Sequence, residues 1–250
     1  MTDSTPNTFK LVIEYDGTAF HGWQRQTSDR TVQAAIETAL AVMTREPVTL
    51  IGSGRTDAGV HALAQVASFR TRSRLTAQAF LNGLNSLLPD DVVIRTCELM
   101  PDAFHARFDV TSKHYRYHIL NRPQAPAIGR QFVWHIRNPL DIAAMARAAD
   151  CLTGTYDFKA FEGTGSPRAH TIRTVTTSQL IDTGNGNLIY DIEANGFLRY
   201  MVRNVVGTLV EVGGGRITVV AVRNILQSRD RSRAGATAPP QGLFLMDVSY

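Results

Sequence analysis

Cysteine, acidic residues and long apolar runs are all scarce in this chain, and each scarcity removes a class of protein. The two cysteines, Cys97 and Cys151, stand far apart and have no ligand partners at metal spacing. That excludes a disulfide framework and fits a reducing compartment. No apolar run approaches the roughly 18 residues that cross a bilayer, so a membrane-spanning helix is excluded. The opening Met-Thr-Asp-Ser-Thr-Pro-Asn has no basic start and no apolar signal core. A cytoplasmic protein is the expectation. Acids number 22 against 26 Lys and Arg, and the sequence pI is about 9.3. Such a balance suits a phosphate-bearing partner without requiring one. The seven histidines are scattered. His114 and His118 share one strand face, but no acid or cysteine partner is evident, so no metal site is expected.

What is present is enough apolar sequence for a full core. Apolar residues make up 44% of 250 and charged residues 19%, the balance of one large folded domain or two small ones. Residues 9–16 read as a strand, and Thr31 to Glu46 as a helix. Val32, Ile36, Ala39, Leu40 and Met43 keep the 3.6-residue period there, with Thr31 as N-cap. Strands follow at 48–53 and 65–70, a helix at 76–88, and a strand at 92–98. This βαββαβ order is that of a ferredoxin-like half. The second half repeats it loosely: a strand at 112–120, a helix at 141–152, and a hairpin of 171–181 with 188–194 around Asp182-Thr-Gly-Asn-Gly186. A long apolar helix at 197–212, a helix at 218–227 and a strand at 243–250 complete it. The expected fold class is α+β: two ferredoxin-like halves with antiparallel sheets, residues 1–108 and 109–250, joined around a central cleft. The basic segment from Arg229 to Pro240 reads as a loop, mobile when unliganded.

The densest chemical signal is Gly52-Ser-Gly-Arg-Thr-Asp-Ala-Gly-Val-His-Ala62. Glycines frame an Arg-x-Asp pair straight after an apolar run, so Asp57 sits on a tight turn at a strand end. A dinucleotide fingerprint is rejected: the sixth position is Asp57, and a carboxylate there repels a pyrophosphate. Asp57 could serve as nucleophile, general base or structural cap. One carboxylate beside a cation fits a nucleophile best, because the cation keeps it ionised. Arg55 is one candidate for that cation. Arg203, on an otherwise almost wholly apolar helix, is the other. In Lys113-His-Tyr-Arg-Tyr-His-Ile119, Tyr115 and Tyr117 fall on one strand face, either as packing or as a platform for nucleobases. Tyr15-Asp-Gly-Thr-Ala-Phe-His-Gly-Trp-Gln-Arg-Gln26 is rich in aromatics and amides. Trp23, Gln24, Arg25 and Gln26 are therefore candidate RNA contacts.

Taken in order, Tyr15-Asp-Gly-Thr, Gly22-Trp-Gln-x-Gln26, Thr31-Val-Gln33, Gly54-Arg-Thr-Asp-Ala-Gly-Val-His61, Tyr115-Arg-Tyr117, Met201-Val-Arg-Asn204 and Ala238-Pro-Pro-x-Gly-Leu243 resemble the tRNA pseudouridine synthase A family. The resemblance covers nearly the whole chain. It implies isomerisation of uridine to pseudouridine at positions 38, 39 and 40 of the tRNA anticodon stem-loop, without metal or cofactor. It also implies a homodimer with tRNA bound across both subunits. By resemblance Asp57 is the nucleophile and Arg203 its paired arginine. Tyr115 stacks on the target base and is a candidate for removing the C5 proton. Arg55 helps hold the flipped base, and Leu243 packs near it. Whether the carboxylate attacks the uracil ring or the ribose anomeric carbon stays open. Two other classes are weighed against this reading. A non-catalytic RNA-binding module gains nothing from a buried acid facing phosphate. A glycosidase-like hydrolase wants two carboxylates, and the second candidate, Asp16, reads better as a turn residue before Gly17.

Overall fold

The computed structural model describes residues 5–165 and 170–250. It is a mixed α/β structure whose chain divides into two compact units. The first holds Met1–Thr111 and Leu245–Tyr250, the second Ser112–Phe244. Among the described residues no helix is long and apolar enough to cross a membrane.

In the first unit, β1 (Asn7–Tyr15) buries Phe9, Leu11, Ile13 and Tyr15, the alternation of a strand with one face on a core. It lies antiparallel between β4 (Val92–Met100) and β3 (His61–Thr71). Helix α1 (Val32–Thr44) starts where Thr31 accepts a hydrogen bond from the Ala34 amide, and α2 (Ala77–Leu87) where Thr76 caps Ala79. Phe9, Phe69 and Phe80 close the core, with ring centroids 4.9 to 5.3 Å apart. The strand expected over 48–53 shrinks to β2 (Ile51–Gly52), paired to β3. The cause is local. The Leu50 amide donates to Glu37 and the Leu50 carbonyl accepts from Gln33, so α1 side chains take the bonds that a ladder would use.

In the second unit, β5 (Ser112–Asn121), β9 (Asn187–Ala194), β8 (Ile172–Gly184) and β7 (Gly154–Asp157) form an antiparallel series. A short strand that the sequence did not announce, β6 (Trp134–Ile136), adds in parallel to β5. The β8–β9 turn uses Asn185 and Gly186, both at positive φ (55° and 77°), the backbone of a two-residue hairpin turn. Helix α3 (Ile142–Asp150), capped by Asp141, packs on β8 and on α4 (Met201–Gly213). Helix α5 is Val219–Ser228. The helix expected from residue 197 begins only at Met201. Tyr200 takes a left-handed φ of 59°, and the Arg199 carbonyl accepts from the Gly163 amide at 2.8 Å instead of entering the helix. The last strand, β10 (Leu243–Ser249), takes its place beside β3, so the final six residues return to the first unit.

The segment expected to be a mobile loop, Arg229 to Pro240, is tied down. Residues Arg231–Arg233 form a 3-10 turn capped by Asp230. Buried Asn204 on α4 accepts from Arg231 at 3.0 Å and from Thr237 at 2.6 Å, while Thr208 accepts from the Gly235 amide at 2.9 Å.

Candidate active site

The Asp57 loop is held from behind by the Tyr15–Gln26 stretch. The Trp23 amide donates to the Thr56 carbonyl at 3.1 Å, and the Gly59 amide to the Phe20 carbonyl at 3.2 Å. Tyr15 and Thr56 share a buried hydroxyl–hydroxyl bond of 2.8 Å. Burial raises the Tyr15 phenol well above its ordinary value, against smaller lowering by its hydrogen bonds to Thr56 and Gln65, so it stays neutral. Ser53 fixes the other flank: its amide donates to Val66 at 2.8 Å and its hydroxyl to Gln65 at 2.6 Å. His61, 1% exposed, accepts from the Gly17 amide through Nδ1 at 3.0 Å. Asp16 caps the turn after Gly17 through Thr18, as its sequence position suggested, and its carboxylate also lies 3.1 Å from His61 Nδ1.

The residues flagged around this loop divide by exposure. Trp23 is 2% exposed and packs 6.2 Å from the Tyr15 ring, so its ring offers no free face. Arg25 pairs with Glu37 at 2.6 Å. Gln24 accepts from Arg55 Nε at 3.0 Å, and exposed Gln26 donates to the His21 carbonyl at 3.1 Å.

In the second unit Tyr115 points to the buried side of β5 and meets Phe197 edge-on, centroids 5.1 Å apart. Tyr117 on the same face donates to the Pro239 carbonyl at 2.7 Å; burial raises its phenol, and the Arg203 charge lowers it less. Arg203 sits in the first turn of α4. Its Nε donates to the Ala238 carbonyl at 2.7 Å, the Ala238 amide returns a bond to the Arg203 carbonyl at 3.1 Å, and its guanidinium lies 5.1 Å from the Tyr200 ring. Leu243 is 5% exposed at the start of β10.

The polar face of β5 departs from expectation. His114 does have an acid partner: Asp191 on β9 lies 2.9 Å from His114 and from Arg116, which binds it through two nitrogens. The register sets Arg116 directly opposite Asp191, a cross-strand pairing no linear motif displays. Among the described residues no group of three or more His, Cys, Asp or Glu is placed to hold a metal ion.

The first unit thus carries a glycine-framed aspartate turn and the second an arginine-bearing apolar helix, on a mixed α/β scaffold. The family model described as tRNA pseudouridine synthase matches residues 11–109 and 148–250, which include Asp57, Arg203 and Leu243. The chain belongs to the tRNA pseudouridine synthase family. It is 48% identical to the tRNA pseudouridine synthase A of Thermoanaerobacter sp. (strain X514), over 96% of this chain and 98% of that protein. Those of Acetivibrio thermocellus and Geotalea uraniireducens are each 46% identical, over 96% of this chain and 98% of theirs.

Proposed function

We propose that this chain isomerises uridine to pseudouridine at positions 38, 39 and 40 of the tRNA anticodon stem-loop, with Asp57 as nucleophile. The observation that carries the reading is near-full-length identity of 48% to a tRNA pseudouridine synthase A. The Asp57 turn, braced on both flanks, suits it: a nucleophile must be fixed before the substrate arrives.

The reaction conserves atoms. The N1–C1′ bond of the uridine breaks, the uracil turns, and a C5–C1′ bond forms. The C5 proton leaves, and N1 gains one. The target base must first leave its stack, at a cost of a few kcal/mol. Asp57 attacks either the uracil ring or C1′. Arg203 supplies the positive charge that keeps the carboxylate ionised. Tyr115 stacks on the base and takes the C5 proton, Leu243 packs beside the base, and Arg55 holds the flipped state. Arg25 and Gln26 are read as contacts to the RNA backbone. The units are read as ferredoxin-like halves, an assignment that the order β1-α1-β2-β3-α2-β4 in the first supports. A cytoplasmic homodimer without cofactor completes the reading.

Carbodiimide mapping of an unmodified tRNA transcript after incubation with the purified protein tests it. New reverse-transcription stops at positions 38 to 40 are expected. Stops confined to other arms, or none with tRNA bound, refute it. Light scattering on the same preparation reads the dimer.

A further inference from the structure

Behind Arg55 runs a chain of side chains whose hydrogen-bond direction admits one solution. Gln33, 7% exposed on α1, uses all four of its bonds. Its Nε2 donates to Glu37 Oε1 at 3.0 Å and to the Leu50 carbonyl at 2.9 Å. Its Oε1 accepts from the Arg25 amide at 2.9 Å and from Gln24 Nε2 at 2.7 Å. Three of these partners play a single role: a carbonyl and a carboxylate only accept, and a backbone N–H only donates. The Gln33 amide therefore has one orientation. That forces Gln24 to turn its NH2 toward Gln33 and its oxygen outward. The oxygen accepts from Arg55 Nε at 3.0 Å.

Glu37 anchors the far end. It is 9% exposed, and every partner it has here is a donor: Gln33, the Leu50 amide at 2.9 Å and Arg25 at 2.6 Å. A carboxylate so surrounded can only accept, so it sets the polarity of both amides ahead of it. Arg55 itself is exposed, two residues before Asp57. Without a fixed acceptor its long side chain would sample many rotamers.

We propose that Glu37, Gln33 and Gln24 form a one-way hydrogen-bond relay that holds the Arg55 guanidinium in its working position. Gln24 is then a positioning residue rather than an RNA contact, and Gln33 and Glu37 act through it. The inference rests on the reading of Arg55 given above.

The test combines two readouts on the full chain. The first is solvent exchange of the Arg55 Nε–H by 15N NMR, assigned by its loss in Arg55→Lys. Gln33→Met, which touches no atom of Arg55, should speed that exchange roughly tenfold, the equivalent of one lost hydrogen bond. Gln24→Met, at a half-exposed position, should do the same and serves if Gln33→Met fails to fold. The second is a double-mutant cycle on turnover. Gln33→Met should slow the wild-type enzyme and add no further loss in an Arg55→Met background. Unchanged Arg55 exchange, or an equal fold-loss in both backgrounds, overturns the relay. Wild-type turnover by Arg55→Met overturns the role of Arg55 and the relay's claim on turnover together. The exchange data separate that failure from a relay that never forms.

Discussion

Gly22 lies directly against the backbone of Asp57: a Cβ added at Gly22 would sit 2.6 Å from the Thr56 carbonyl oxygen and 3.1 Å from the Asp57 carbonyl carbon. Gly22 also holds φ at +89°, a region other residues enter only with strain. The glycine is there because the Asp57 turn passes too close for any side chain. Gly22→Ala should cost roughly 1–3 kcal/mol in strain alone, lowering the melting temperature by several degrees. Turnover should fall further than the lost folded fraction explains, because the displaced backbone is that of Asp57. Single-turnover rates beside a thermal melt check this. A melt that drops with the per-folded-molecule rate intact would unlink Gly22 from the site.

Asn204 should prove costly to lose, because its amide ties three segments together. Its Nδ2 donates to the Phe161 carbonyl at 2.8 Å, and its Oδ1 serves both Arg231 and Thr237. Asn204→Ala leaves the buried Phe161 carbonyl without its donor and removes the acceptor shared by Arg231 and Thr237, at about 1–3 kcal/mol. Calorimetry should show the loss, and proteolysis should move to the segment from Arg231 to Thr237. Resistance equal to wild type would mean that other contacts hold the segment.

Two arginines of that segment should behave differently. Arg233 is exposed, whereas Arg231 is turned inward on Asn204, Thr237 and the Ala234 carbonyl. Arg233→Ala should reduce the slope of log affinity for tRNA against log salt by about one. Arg231→Ala should chiefly lower the melting temperature. A slope unmoved in both variants would take this segment off the RNA surface.

The Arg116–Asp191–His114 cluster predicts an acid limb of stability. Burial pushes the Asp191 carboxyl up, but hydrogen bonds from Arg116 and His114, with their charges, outweigh it and hold it below the ordinary 3.8. His118, on the same strand face, is lowered from 6.5 by burial and by the Arg116 charge, with Asp191 opposing. At both sites the unfolded chain binds protons first, so stability rises with pH across these ranges. The His118 contribution is fully present above 6.5 and fades as pH falls through its folded value. That of Asp191 is present above 3.8 and fades below it. Asp191→Asn should cost roughly 1–3 kcal/mol near neutrality and flatten the curve in the most acid range. Denaturant titrations across pH check this; parallel curves for the two proteins would contradict it.

Much of this was legible in the sequence because the signals are local. Thr31, Thr76 and Asp141 cap the helices whose starts they mark, and Asn185-Gly186 makes the turn its dipeptide announces. What stayed hidden depends on residues far apart in the chain. The 48–53 strand shortened because Glu37 and Gln33 claim Leu50. Tyr200 turned left-handed where the apolar pattern read as helix. The acid partner of His114 came from the register of a neighbouring strand, 77 residues away. Trp23 read as a loop aromatic available to RNA, yet it packs against Tyr15 beneath Gly52. On the site itself, the glycines around Asp57 mark a turn in any context. The amides that orient Arg55 look like ordinary helix and loop residues until their partners are seen.

The central claim, that Asp57 is the nucleophile of a uridine isomerase, is tested most directly by tritium release from C5-labelled uridine in an unmodified tRNA, with wild type beside Asp57→Ala. Release by wild type, and none by a variant that still binds tRNA, is the predicted result. Release by Asp57→Ala at the wild-type rate would contradict it.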